Sequence, residues 1–370
     1  MSGAVLVLNA GSSSLKYDVL DGDEQTLVGG TVERVDQTGW DGAFEHVADA
    51  LSDADVDPSA LLGVGHRVVH GGDRFTRATL VDESVEHAID ELADLAPLHN
   101  PNALAGVRST RAALPGLPQV AVFDTAFFAG LPTVATTYAL DRDTAEHHGI
   151  RRFGAHGISH EHVAAETARF LGRAELALVL LHLGNGASAA AVRGGRPLDT
   201  SMGLTPLEGL VMGTRPGDVD AGVLLHLLRR GVDVDALEDL LQHRSGLQGL
   251  CGVHDFRDLL AAMDAGDAMA RTAYDVYCHR LRKYVGAYLA VLGGADAVVF
   301  TAGVGEHVPR VREDALAGLV ALGIEVDPDR NRADASGPRR IATDSSRVDV
   351  LVVPTDEALA IARAVRDVVG

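Results

Sequence analysis

Several things are scarce in this chain. Only two of its 370 residues are lysine, Lys16 and Lys283, and only two are cysteine, Cys251 and Cys278. Two cysteines build no disulfide framework. Aromatic residues make up 4% of the chain, so Ala, Val and Leu must fill the interior. No stretch reaches the roughly 18 apolar residues of a membrane span. The N-terminal apolar run stops at Leu8 and has no basic flank, too little for a signal peptide. Positive charge is short as well. The net charge is -20, which disfavours nucleic acid and anionic membranes as partners and reads as a solubility feature. The expectation is a soluble, cytoplasmic protein.

What is present is an apolar fraction of 46% in a chain long enough for two α/β domains. Residues 178–188 run from a short apolar strand into a turn, Gly184-Asn185-Gly186, whose amides can cradle phosphate oxygens. A returning hairpin follows through Gly194-Gly195. Residues 5–14 repeat the theme: an apolar strand enters the small polar turn Gly11-Ser12-Ser13-Ser14, and a strand at 15–20 follows. Two such loops, one opening each half, suggest a duplicated fold with a nucleotide between the halves. Further strands are expected at 26–35, 61–69, 118–123, 297–301 and 348–353. Helices are expected at 42–51, 82–95, 102–114, 160–171, 219–230, 234–243, 267–292, 309–322 and 356–369. The proline at 101 is expected to stop the helix before it, and 302–306 to form a third Gly turn. The alternation of strands and helices makes both halves layered α/β.

The polar residues of these turns carry the chemistry. Asn9, Ser12, Ser14 and Lys16 would suit a triphosphate tail, although a strand follows them and not the helix of a Walker A loop. Arg67 ends an apolar strand and Arg215 lies in a Gly-rich loop. Guanidinium groups there suit a small carboxylate or a phosphoryl group, and equally a surface ion pair. Asp124 and Asp356-Glu357 follow strands, where α/β sites form. Carboxylates there suit magnesium or a helix cap. His156, His160 and His162 cluster, but neither their spacing nor a cysteine supports zinc.

Taken together, Asn9-Ala10-Gly11-Ser12-Ser13-Ser14-Leu15-Lys16, residues 65–72, 123–127, 182–188, Asp199-Thr200-Ser201-Met202-Gly203, 205–215, 300–306 and Pro354-Thr355-Asp356-Glu357 resemble the acetate kinase family. The resemblance runs from residue 4 to about residue 363. It implies two ribonuclease-H-like domains with the active-site cleft between them, as in the wider superfamily of sugar kinases, heat-shock chaperones and actin. The expected boundaries are 1–125 with 358–370, and 126–357.

By the same resemblance, Asn9 and Glu357 take magnesium (or manganese). Lys16, the loop His182, Leu183, Gly184, Asn185 and Gly186, the run Asp255, Phe256 and Arg257, and the turn Gly303, Val304, Gly305, Glu306 and His307 take ATP or ADP. Arg67 binds the carboxylate. Asp124 is the catalytic aspartate, and His156 and Arg215 stabilise the transition state. Val69, Leu98 and Pro206 wall the acyl methyl pocket, and the chain forms a homodimer.

The implied reaction is direct, magnesium-dependent phosphoryl transfer from ATP to acetate. An acid such as propionate is the alternative within the class, and a chaperone- or actin-like ATPase the alternative outside it. The expectation is against the last, since nothing after the ATPase-like region is left for a peptide-binding domain and both carboxylate-site arginines are present. Three positions depart from the family pattern. Ala155 replaces a usual Phe, Phe128 a common His, and His307 a usual Asn.

Overall fold

The computed structural model describes residues 3–11, 14–97 and 99–370. Its contacts divide the chain into two compact units. The first comprises Met1–Ala129, Ala155–His162 and Asp356–Gly370, and the second Gly130–Gly154 and Val163–Thr355. The segment Ala155–His162 departs from the expected boundaries. The Gly157 N–H donates to the Asp124 carbonyl at 2.9 Å, which ties His156 and its neighbours to the first unit.

The first unit holds β1 (Ala4–Ala10), β2 (Ser14–Leu20), β3 (Thr26–Glu33), β4 (Leu61–Val68), β5 (Thr79–Leu80) and β6 (Gln119–Phe123). They form one sheet in the order β3-β2-β1-β4-β6-β5. The first three are an antiparallel meander, β4 and β6 add in parallel, and β5 is an antiparallel edge. The second unit holds β7 (Ala177–Leu183), β8 (Ala187–Arg193), β9 (Arg196–Thr200), β10 (Ala297–Thr301), β11 (Arg339–Arg340) and β12 (Asp349–Val352). Its order is β11-β12-β10-β7-β8-β9, with the same pattern of parallel and antiparallel neighbours. Strand for strand, and in the same chain order, the second sheet repeats the first.

The inner strands owe their places to their composition. β1 is apolar from Ala4 to Leu8 and buried on both faces, as an inner strand covered by helices on both sides must be. Val5 and Val7 meet the helix Glu357–Val369 on one side. Leu6 and Leu8 meet Phe44, Val47 and Leu51 of the helix Val35–Asp53 on the other. β2 alternates, with Leu15, Tyr17 and Val19 buried and Lys16 exposed. At Gly65 an added Cβ would lie 2.4 Å from Ile361, so only glycine lets the helix Glu357–Val369 come this close.

Several elements differ from expectation, each for a local reason. Residues 302–307 form a short helix, Ala302–His307, where a Gly turn was expected. The Glu306 carboxylate accepts the Ala302 N–H at 2.8 Å and so closes that helix on itself. Pro101 opens the helix Asn100–Ala113; proline suits the first turn, where its missing N–H costs nothing. The expected helix at 309–322 stops at Leu316, since Ala317 is extended and Gly318 has φ +83°. The helix Phe256–Asp264 escaped the sequence reading; Asp255 caps it by accepting the Arg257 N–H. Among the described residues no helix is long and apolar enough to cross a membrane.

Candidate active site

Several candidate residues in each unit lie at or just beyond the carboxyl ends of the parallel strands, the usual place for sites on such sheets: Arg67 and Asp124 in the first, His182, Leu183 and Gly303 in the second. The first unit is organised around Arg67, near the end of β4. Its Nη2 donates to Asp124 Oδ2 at 2.6 Å and its Nε to Asp124 Oδ1 at 3.3 Å. Its Nη1 reaches Asn9 Oδ1 at 3.4 Å, and Glu357 Oε2 lies 3.4 Å from Nε. Oxygens from the ends of β1 and β6 and from the first residue of the helix Glu357–Val369 therefore converge on one guanidinium. Burial works against the charge on Arg67, but Asp124 and Glu357 outweigh it and hold the guanidinium charged.

Asp124 follows β6 directly, and its side chain is only 2% exposed. Burial pushes its carboxyl up to about 6, against the pull of Arg67, with Glu357 adding to the rise. The bidentate pair keeps it ionised at neutral pH. The His156 backbone N–H also donates to this carboxylate. His156 has φ +59°, the left-handed region, an uncommon and strained conformation for histidine. An added Cβ on the next residue, Gly157, would come within 2.1 Å of the Asp124 carbonyl, so this turn requires glycine.

Val69 is half-buried one residue beyond β4. Lys16 faces Asn9 in the β1–β2 register and pairs with Asp18 at 3.6 Å, its side chain largely exposed. It belongs to the first unit, and the other nucleotide candidates belong to the second. Leu98 and Ser12 lie outside the described residues.

The second unit carries a cavity of about 710 Å³ lined by Gly184, Asn185, His254, Asp255, Phe256, Arg257, Gly303, Val304, His307 and Val308. Three separate stretches singled out in the sequence thus meet around one space. His182 and Leu183 end β7 behind the turn and are buried. The turn itself closes through Gly184 N–H to the Gly186 carbonyl at 2.9 Å. Arg257 folds back on Asp255, donating Nε and Nη2 at 3.0 and 2.7 Å, and these bonds hold the Asp255 carboxyl well below its usual range. Glu306 and Gly305 do not line this cavity, since Glu306 turns its carboxylate to backbone donors.

Arg215 and Pro206 also meet in the second unit, where Arg215 Nη1 donates to the Pro206 carbonyl at 2.7 Å. Arg215 makes no ion pair among the described residues, and burial drops its pKa to about 10. It is a desolvated cation with spare donors, a state that favours an incoming anion. The loop carrying both residues is braced at its two ends. Arg152 donates to Glu208 at 2.6 Å and to the Met202 carbonyl at 2.9 Å. Arg280 donates to the Gly209 carbonyl at 2.7 Å, while the Gly209 N–H donates to Asp218 at 2.9 Å.

These braces escaped the sequence reading, as did Asn100, which grips the backbone of His70 beside Val69. Asn100 had a faint signal, an Asn between His and Pro; the braces had none, because their partners lie tens of residues apart. Among the described residues no group of three or more His, Cys, Asp or Glu converges as a metal site.

A sheet and its duplicate, with the same strand order and polar turns at strand ends, define a duplicated ribonuclease-H-like α/β protein. The acetokinase family model matches residues 31–363. An acetate kinase of Leifsonia xyli subsp. xyli (strain CTCB07) is 53% identical, with 97% of each chain covered. The crystal structure of Porphyromonas gingivalis acetate kinase matches at TM-score 0.93 and 37% identity over the whole of both chains. That of a propionate kinase from Francisella tularensis subsp. tularensis SCHU S4 matches at 0.94 and 35%, again over the whole of both. The chain belongs to the acetokinase family.

Proposed function

We propose that this chain catalyses the reversible transfer of the γ-phosphoryl group of ATP to acetate, giving acetyl phosphate and ADP. The observation that carries the reading is the pair of arginines. Arg67 is aligned by a bidentate carboxylate, and Arg215 is half-buried without an ion pair among the described residues. A guanidinium has five N–H donors, and Asp124 and Asn9 engage three of those on Arg67. One hydrogen on each terminal nitrogen is left for an end-on pair with a substrate carboxylate.

That carboxylate is already ionised at neutral pH, so no base is needed and no proton moves. One carboxylate oxygen forms a bond to the γ-phosphorus as the bond to the bridging oxygen breaks, and the electron pair leaves on ADP. The difficulty is electrostatic, because two anions must meet. Arg67 fixes the acyl substrate, and Asp124 orients Arg67. Arg215 and His156 neutralise charge that spreads over the phosphoryl oxygens. The cavity of the second unit takes the nucleotide, with the Gly184–Gly186 turn toward its phosphates.

The oxygens of Asn9, Asp124 and Glu357 are hard donors of the type that magnesium or manganese takes. Too few for a cage, they fit an ion that keeps waters and phosphate oxygens. When bound, the metal neutralises phosphate charge.

Ala155 favours a second reading within the class, a preference for propionate. It is buried at 4% exposure and carries little volume beside His156. The chain also acts as a homodimer in this proposal. The helix Ala221–Arg229 has no buried residue although Val223, Leu225 and Leu228 are apolar, and a second copy would cover them. ATP as substrate agrees with a cytoplasmic location.

The test traps the acyl phosphate with hydroxylamine while ADP is measured. ADP and hydroxamate that both depend on acetate support the reading. ADP formation indifferent to any acyl substrate overturns it in favour of a chaperone- or actin-like ATPase.

A further inference from the structure

Glu306 lies within the Gly-Val-Gly-Glu-His stretch at the nucleotide cavity, yet its carboxylate does not face that cavity. One oxygen, Oε1, accepts the Ala302 N–H at 2.8 Å and the Thr355 N–H at 3.1 Å. Ala302 follows β10 and Thr355 follows β12, so one atom ties together the ends of two neighbouring parallel strands. The backbone of Glu306 is fixed from behind. Its carbonyl accepts Arg312 Nη1 at 2.9 Å and Arg339 Nη2 at 3.2 Å. Arg312 is fully buried and also holds the Gly305 carbonyl and Asn331. Ala302 itself has φ +63°, a strained conformation for alanine that the bond to Glu306 helps to hold.

A helix cap would explain the bond to Ala302 alone. It does not explain Thr355, which lies outside that helix and is the last residue of the second unit. The chain crosses to the first unit at Asp356, and Glu357 follows.

We infer that Glu306 is a positioning residue: it clamps the nucleotide-cavity helix to the crossing point that delivers Glu357, and so couples nucleotide binding to the metal-side carboxylate. The inference rests on the proposed reaction for its catalytic consequence only. A negative side chain beside a polyphosphate site is otherwise a poor choice, because it would repel the ligand. Engaged by two backbone donors, it costs little.

The clamp needs an acceptor oxygen and not a charge, so Glu306→Gln should keep it and Glu306→Ala should lose it. The first measurement is amide hydrogen exchange in the ATP-free protein. Glu306→Ala should raise exchange at both 301–305 and 353–357, and Glu306→Gln at neither. Faster exchange at 301–305 alone would reduce Glu306 to a helix cap and overturn the proposal.

The second measurement is the magnesium concentration for half-maximal rate. Glu306→Ala should raise it about tenfold, and Glu306→Gln by less than twofold. In a Glu357→Ala background the Glu306→Ala change should add nothing, since coupled residues are not additive. Additive effects, or a Gln variant as impaired as the Ala variant, would also overturn it. If the wild type proves not to be an acyl kinase, the exchange experiment still decides whether the clamp exists.

Discussion

Asn100 holds His70 by both ends of its amide. Its Oδ1 accepts the His70 N–H at 3.1 Å and its Nδ2 donates to the His70 carbonyl at 2.9 Å. The side chain thus stands in for a neighbouring strand just past the end of β4, and it is wholly buried. The segment it fixes carries Val69 and lies three residues beyond Arg67. Asn100→Ala would remove both of these buried hydrogen bonds, at about 1–3 kcal/mol each. The KM for acetate should rise about tenfold or more, with the KM for ATP little changed. Steady-state kinetics in both substrates, with a melting curve as the fold check, makes the test.

Arg215 should matter for turnover more than for binding. Removing one preorganised donor at a transition state typically costs about 3–4 kcal/mol, or roughly 100- to 1000-fold in rate. Arg215→Ala should lose that much kcat while ATP binding, measured by calorimetry, persists. Arg215→Lys should not restore it, since an ammonium lacks the planar fork. Near-normal kcat in either variant would move the site elsewhere.

The pH profile should show Asp124. Burial sets its carboxyl at about 6, and only the ionised form grips Arg67. Activity should therefore rise with pH through about 6 and fall off on the acid side as Asp124 takes up a proton. The log of kcat/KM for acetate, plotted against pH, should have an acid limb of unit slope there. Residual activity of Asp124→Asn should lack that limb.

His66 should show itself in stability. It is buried in β4 with its Nε2 2.6 Å from Gln119 Oε1, and burial lowers its pKa to about 4. A histidine held neutral in the fold contributes stability above its unfolded pKa of 6.5 and loses it as the pH falls toward 4. The loss approaches about 3 kcal/mol at 1.4 kcal/mol per unit. Melting temperatures of wild type and His66→Leu between pH 7.5 and 4.5 should differ in slope, the wild type falling more steeply.

The acyl pocket is open to a direct test at Ala155. Phe127 and Phe128 are the candidates to refill the volume. Phe128 is already committed, buried edge-on against His160 at 5.7 Å between ring centres. The Phe127 Cβ lies beside Gly157. If Phe127 leaves the space open, Ala155→Phe should shift the propionate-to-acetate ratio of kcat/KM toward acetate by about tenfold, as one methylene is worth roughly 1–3 kcal/mol. An unchanged ratio would show the pocket filled already.

Much of this was legible in the sequence because it was written in contiguous residues. The apolar runs of β1, β4 and β7 end in glycine or polar turns, and Asp124 follows Phe123 with no intervening loop. The repeat of strand and polar turn announced the duplication that the two sheets display. What stayed hidden depends on partners far along the chain. Nothing in Gly-Ala-His-Gly shows that His156 bends into the left-handed region to reach Asp124. Nothing near Glu306 shows that its second donor is 49 residues away. The Ala302–His307 helix was misread because two glycines in five residues argue for a turn, until a distant strand end and a buried arginine overrule local propensity.

The first unit is assembled from three separate pieces of chain, and its last piece is the helix Glu357–Val369 laid against Gly65. On the ribosome the strands β1 to β6 emerge first, yet the Val5 and Val7 face of their sheet lacks Ile361, Ala362 and Val365 until that helix is made. At about 5–20 residues per second, the delay is tens of seconds. The second unit, whose chain is complete before the helix Glu357–Val369 is made, is free to finish first. During synthesis the early half therefore waits, with an apolar face open, for the late half to hand it its final helix, and this interval is when a chaperone would find the nascent chain.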